Sequence, residues 1–156
     1  MTTNLIREWL SIDIPSIAAI MADHPLWQHY GVTESSAQHR LTILWQDQER
    51  GFVSMSGNGF VEGFVLYNTQ TFGNNGYIRL FGVAQNLTSK GTGAKLLSAV
   101  EDRLREDGID RLVLLCTEWN GRARQFYVRQ GFFEVGILPN WVIEGTHEVM
   151  YAKTLH

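Results

Sequence analysis

A chain of 156 residues is the size of one ordinary domain, and 44% hydrophobic with 19% charged residues is the make-up of a soluble globular protein. A net charge of -3 and a sequence pI of about 5.9 argue against nucleic acid as the main partner, because such binders carry a basic patch. A lone cysteine, Cys116, excludes an internal disulfide, and no run approaches the ~20 apolar residues of a membrane span.

The opening stretch MTTNLIREWLSID carries charges within its apolar part and has no signal-peptide core, so a soluble, cytoplasmic protein is expected. Leu5 to Leu10 reads as a first strand. Ile14 to Met21 has helical spacing, with Asp13 as its expected N-cap and Pro15 in its first turn. His24 to Gly31 is aromatic and reads as an irregular link, and Thr33 to Trp45 as a second helix capped by Thr33. The period then changes from helix to strand. Gly51 to Met55 and Phe60 to Tyr67 flank the hairpin signal Ser56-Gly-Asn-Gly59, and Asn74-Asn-Gly76 marks a turn before a strand from Tyr77 to Val83. An antiparallel meander over Phe52 to Val83 is expected.

Ala94 to Arg105 is strongly amphipathic, with Leu96, Leu97, Val100 and Leu104 on one face and Asp107-Gly108 closing it. Arg111 to Cys116 is nearly all apolar, as a strand buried on both faces is. Cys116 sits in that run as a small buried hydrophobe. Asn120 is the expected N-cap of a helix through Arg129, ended by Gly131, and two strands follow, Phe132 to Leu138 and His147 to Thr154. The charged stretches 103–107 and 122–124 read as solvated helix faces. No repeat or linker interrupts the order, which predicts a single α+β domain over residues 1–156 on one mixed sheet.

Between the strand ending at Val83 and the helix at Ala94 runs the loop Leu87-Thr-Ser-Lys-Gly-Thr-Gly-Ala94. A helix start offers unpaired N–H groups and about half a positive charge, and glycines let the backbone approach a phosphate closely. The loop fits neither the Walker pattern GxxxxGK[ST] nor the dinucleotide pattern GxGxxG, whose third glycine falls on Leu96. A plain strand-to-helix turn explains the glycines equally well. A second segment, Asn120-Gly-Arg-Ala-Arg-Gln-Phe-Tyr-Val-Arg-Gln-Gly-Phe132, lies one helix, one strand and one helix further on. Together the two segments resemble the GCN5-related N-acetyltransferases, the GNAT superfamily. That family's loop is Q/R-x-x-G-x-G/A and its later helix is N-x-x-A-x-x-F-Y-x-x-x-G-F. Thr88 departs from the Q/R position, and Lys90 offers a cation nearby.

The resemblance implies a GNAT-like fold, a mixed, mostly antiparallel sheet flanked by helices and splayed between two neighbouring central strands, here Tyr77 to Val83 and Arg111 to Cys116. It implies acetyl-CoA as cofactor. Its pyrophosphate would rest on Thr88, Ser89, Lys90, Gly91, Thr92, Gly93 and Ala94, and its pantetheine arm on the strand edge at Phe81, Gly82 and Val83, with Asn120 as a further contact. Tyr127 stands at the family's general-acid position and also touches cofactor. Glu118 is the base chosen here; Glu62, His24, His29, Glu148 or a water chain are its competitors. Arg79 is a candidate for an acidic group on the substrate, and Trp27, Tyr30, Trp45, Trp119 and Trp141 are candidate pocket walls, although core packing is the expectation for most of the tryptophans. The expected activity is transfer of an acetyl group to a primary amine of a small molecule or amino acid by direct attack on the thioester. The alternative is a non-catalytic CoA-binding or sensing module. No metal is expected, and a homodimer is compatible with the sequence.

Overall fold

The computed structural model describes residues 5–87 and 91–156. Its elements run β1 (Leu5–Glu8), α1 (Ile14–Ala22), α2 (Pro25–His29), α3 (Glu34–Gln46), β2 (Arg50–Met55), β3 (Val61–Phe72), β4 (Asn75–Val83), α4 (Thr92–Glu106), β5 (Arg111–Thr117), α5 (Gly121–Arg129), β6 (Phe133–Leu138) and β7 (Glu148–Thr154). The strands form one seven-stranded sheet in the order β1-β2-β3-β4-β5-β7-β6. The fold is the α+β, mostly antiparallel sheet flanked by helices that the motifs imply. By its contacts the chain divides into two compact units. One takes Met1–Tyr67 with Leu80–Val100, the other Asn68–Arg79 with Glu101–His156.

In the first unit β2 pairs antiparallel with β1 and with β3. Alternate residues point to opposite faces of a strand, so Val53, Phe64 and Leu66 send their side chains into a core with Ile17, Met21 and Leu41 from α1 and α3. The other face holds Ser54 and its partner Gly63. Leu96, Leu97 and Val100 of α4 are fully buried, each contributing about 2 kcal/mol relative to exposure. Two local expectations change here. Residues 25–29 are helical rather than irregular, because the His24 ring nitrogen Nδ1 accepts from the Leu26 N–H at 3.2 Å and Pro25 opens the first turn. Asp13 does not cap α1 with its side chain. Its carboxylate instead takes the Leu10 N–H at 2.8 Å and a two-point bond from Arg7 at 2.8 and 2.9 Å. A near-buried acid is satisfied in that way, and β1 is pinned to the start of α1.

In the second unit β7 pairs antiparallel with β5 and β6, and the early part of β4 runs parallel to β5. That parallel ladder joins Gly76, Tyr77 and Ile78 to Leu112, Val113 and Leu114. Past Ile78 no further pair joins β4 to β5 among the described residues, although β4 runs on to Val83 and β5 to Thr117. Leu112, Leu114 and Cys116 are buried, as the apolar run predicts. The turn before β4 falls on Gly73, at φ +65°, and Asn74, one residue earlier than expected.

Candidate active site

The glycine loop belongs to the first unit. Thr88, Ser89 and Lys90, three of the expected phosphate contacts, lie outside the described residues. Gly91 has φ +81°, a backbone conformation that favours glycine, and a Cβ built there would meet nothing within 4 Å. α4 starts at the next residue, its first turn closed by Lys95 N–H to Gly91 O at 3.1 Å. The N–H groups of Thr92, Gly93 and Ala94 therefore stand at the start of a 15-residue helix, with open space beside Gly91. That arrangement fits an anionic group such as a pyrophosphate. The Thr92 side chain turns inward; it is 1% exposed.

Gly82 is glycine for a reason other than cofactor approach. A Cβ there would lie 2.6 Å from Cη2 of Trp27 and 2.8 Å from Cε1 of Phe64. Trp27 is thus a core residue packed on β4; Trp9, 3% exposed, is a core residue too, and its indole N–H donates to Glu49 O at 2.9 Å. Trp45 packs edge-on to Trp9, with ring centroids 5.3 Å apart, and lines a concavity of about 300 Å³ with Glu8, Glu49, Arg50 and Tyr67. None of the residues assigned to acetyl-CoA lines that concavity. Trp119 and Trp141 are exposed.

The second unit carries Asn120, Tyr127 and Glu118. Asn120 caps α5, its side-chain oxygen accepting from Ala123 N–H at 3.4 Å. Seven residues on, Tyr127 packs its ring among Phe126, Phe132 and Tyr151 at centroid separations of 5.4, 5.7 and 5.9 Å. Burial pushes its phenol above the ordinary value, and the neighbouring Cys116 thiol adds to the shift. Burial likewise pushes Cys116 up to about 12, with Glu148 adding to it and Arg124 opposing it. Glu118 is half-buried; its N–H donates to His147 O at 2.9 Å and its carbonyl accepts from Arg124 Nη1 at 3.0 Å, so its backbone is held while its carboxylate is carried on the segment between β5 and α5.

The competing bases fare unequally. His24 has Nδ1 engaged as a helix cap, and burial lowers its pKa. His29 and Glu62 lie on the first unit, His29 exposed and Glu62 half-buried, and Glu148 is buried on β7 opposite Thr117. Arg79 sits over the Tyr77 ring, 5.7 Å from its centroid. Arg124 departs from the solvated helix face expected of residues 122–124. Arg124 donates to the Tyr151 hydroxyl at 3.0 Å, to Glu118 O at 3.0 Å and to Glu134 at 2.9 Å. Nothing in the local pattern flags it, since its partners come from three other places in the chain. Among the described residues no cluster of three or more His, Cys, Asp or Glu could hold a metal ion.

Gly91 at a helix start and Tyr127 on an Asn-capped helix fall on the elements where the two sequence motifs place them. The model of the acetyltransferase (GNAT) family matches residues 13–132, and the chain belongs to that family, whose cofactor is acetyl-CoA. An uncharacterized protein from Bacillus subtilis, YdhI, is 25% identical over 115 residues, covering 74% of this chain and 68% of that one. The ribosomal-protein-S18-alanine N-acetyltransferase of Escherichia coli superposes with a TM-score of 0.80 over 98% of this chain and 94% of its own, at 19% identity. A Bacillus anthracis protein assigned as a streptothricin acetyltransferase, solved with acetyl coenzyme A, gives 0.63 over 69% of this chain and 63% of its own, at 16% identity. At such identities the two solved structures speak for the fold.

Proposed function

We propose that the protein is a single-domain, acetyl-CoA-dependent N-acetyltransferase acting on a primary amine of a small molecule or amino acid. Bound acetyl-CoA supplies an acetyl thioester and, on transfer, a thiolate leaving group. Gly91, Thr92, Gly93 and Ala94 hold the pyrophosphate through backbone N–H groups, with Thr88, Ser89 and Lys90 completing the loop. Phe81, Gly82 and Val83 pair with the peptide-like arm by strand addition, and the Val83 N–H donates to the acetyl oxygen as negative charge builds there. Asn120 reaches the same arm. Glu118, directly or through water, takes a proton from the amine so that its lone pair is free to attack the carbonyl carbon. As the carbon–sulfur bond breaks, Tyr127 gives its phenol proton to the sulfur.

The observation that carries this reading is Tyr127. Its sequence context, its place on an Asn-capped helix and a phenol pushed above its ordinary value by desolvation support a proton donor at this position. Thr88 at the Q/R position of the loop favours the second reading, a CoA-binding module without turnover. Calorimetric titration with acetyl-CoA, with ATP and NADH as controls, followed by CoA release across an amine panel that includes an alanyl peptide, separates the cases. Selective micromolar binding with turnover of a small amine is the expected result. Binding without turnover of any amine leaves the module, turnover of the peptide alone moves the acceptor to a protein terminus, and no binding at millimolar ligand removes both CoA readings.

A further inference from the structure

Arg124 gathers acceptors from three separate places in the second unit. Its Nη1 donates to the Glu118 carbonyl at 3.0 Å, its Nε to the Tyr151 hydroxyl on β7 at 3.0 Å and its Nη2 to Glu134 on β6 at 2.9 Å. A guanidinium is a rigid planar fork of donors, so bonds of this kind fix the relative places of the groups that accept them. The first bond acts on the short segment between β5 and α5. There the Glu118 N–H donates to His147 O at 2.9 Å and the Asn120 N–H to Thr117 O at 3.0 Å, and Arg124 clamps the Glu118 carbonyl between them. The second bond acts on α5 itself. Residues three apart share a helix face, and Arg124 and Tyr127 both meet Tyr151. Its hydroxyl takes the guanidinium, and its ring lies 5.9 Å from the Tyr127 ring. Cys116 on β5 is a common neighbour, since Arg124 opposes the upward shift of its thiol and the thiol in turn raises the Tyr127 phenol. The third bond, to Glu134, is the solvated arm, with side chains 32% and 48% exposed.

We infer that Arg124 is a positioning residue of the transferase site: it locks the segment bearing Glu118 and Asn120, and the α5 face bearing Tyr127, to one anchor on β7, the Tyr151 hydroxyl. It acts through those residues rather than on the reacting atoms. The effect on transfer rests on the proposed acid and base; the holding of the segment does not. A shift of about 1 Å in the groups that carry a reaction costs up to about 100-fold in rate. Lysine keeps the charge but offers a single ammonium in place of the fork, so Arg124→Lys separates geometry from charge.

The test compares Arg124→Lys, Arg124→Ala and Glu134→Gln with the parent chain, all well below their Tm. Arg124→Lys lowers the single-turnover transfer rate about 10- to 100-fold, while acetyl-CoA Kd by calorimetry stays within about 3-fold. Millimolar guanidinium, far below denaturing levels, restores part of the turnover of Arg124→Ala. Glu134→Gln, which loses only the solvated arm, keeps its rate within about 2-fold. Hydrogen exchange reads the holding itself: the Glu118 and Asn120 amides exchange about 10-fold faster in Arg124→Lys, while the amides of β5 keep the parental rate. A transfer rate in Arg124→Lys within about 2-fold of the parent, or a loss of affinity equal to the loss of rate, overturns the positioning role. Unchanged exchange at Glu118 and Asn120 overturns the holding of the segment. If the parent turns over no amine, the proposed function fails, while exchange still decides whether Arg124 holds that segment.

Discussion

Tyr127 and Cys116 sit together in the second unit, and burial shifts both in the same direction. For Tyr127 the consequence is kinetic. A phenol raised above its ordinary value stays protonated through neutral pH and beyond, so an acid role imposes no alkaline loss of turnover below about pH 10. Tyr127→Phe keeps the ring packed against Phe132 and Tyr151 and removes the proton. It should lower kcat on the order of 100-fold while acetyl-CoA Kd stays within about 2-fold. A matching loss of affinity would instead make Tyr127 a cofactor contact and nothing more. For Cys116 the consequence is stability. Its folded value, about 12, lies above the ordinary 9.0, so its contribution is complete below pH 9 and is lost as pH rises from 9 towards 12. Between pH 9 and 10 that amounts to about 1 kcal/mol, or a fall of roughly 2–4 °C in Tm. Cys116→Ala should flatten this part of the Tm–pH curve. A variant that follows the parental slope would assign the alkaline loss elsewhere.

Helices and strands declared themselves where their own residues sufficed. The stripe Leu96, Leu97, Val100 and Leu104 marked α4, and all four side chains are fully buried. Asn120 and Gly131 bracketed α5, with Gly131 at φ +93°. What holds elements to one another was not legible in this way. The carboxylate of Glu101 on α4, 8% exposed, takes Lys153 of β7 at 2.9 and 3.1 Å, and those two residues are 52 positions apart. Arg124 is the clearer case, since its three acceptors lie on β7, on β6 and before α5. Magnitudes rank those bonds. Arg124 and Glu134 are 32% and 48% exposed in their side chains, which puts that ion pair in the range of about 0–1 kcal/mol. The Tyr151 hydroxyl belongs to a residue 2% exposed and receives a charged donor, a bond worth about 1.5–3 kcal/mol. Tyr151→Phe should therefore lower Tm by several degrees and Glu134→Gln by about one degree or less in paired melts. The reverse order would mean that the guanidinium is anchored by its carboxylate.

At the scale of the whole chain, the fold was legible because two motifs fell in the right order on the right elements, and each motif is local. The glycine loop announces a helix start, and N-x-x-A-x-x-F-Y announces another, so neither needed a tertiary contact to be seen. The pocket walls were harder to read because an aromatic residue looks the same in a core as in a cleft. Trp27 is explained only by Gly82, 55 residues later, whose missing Cβ makes room for the indole. Membership of the acetyltransferase family carries a consequence for stability as a whole. A ligand that binds the folded chain and not the unfolded one stabilises it by RT ln(1 + [L]/Kd), about 2.7 kcal/mol at a hundredfold excess over Kd. For a chain of this length, acetyl-CoA at that excess should raise Tm by roughly 5–10 °C. Adenosine diphosphate at the same concentration should raise it less, because it lacks the arm expected to pair with Phe81, Gly82 and Val83. Equal shifts would mean that the loop binds phosphate while the β4 edge takes no part, and the strand-addition half of the proposed site would then be lost.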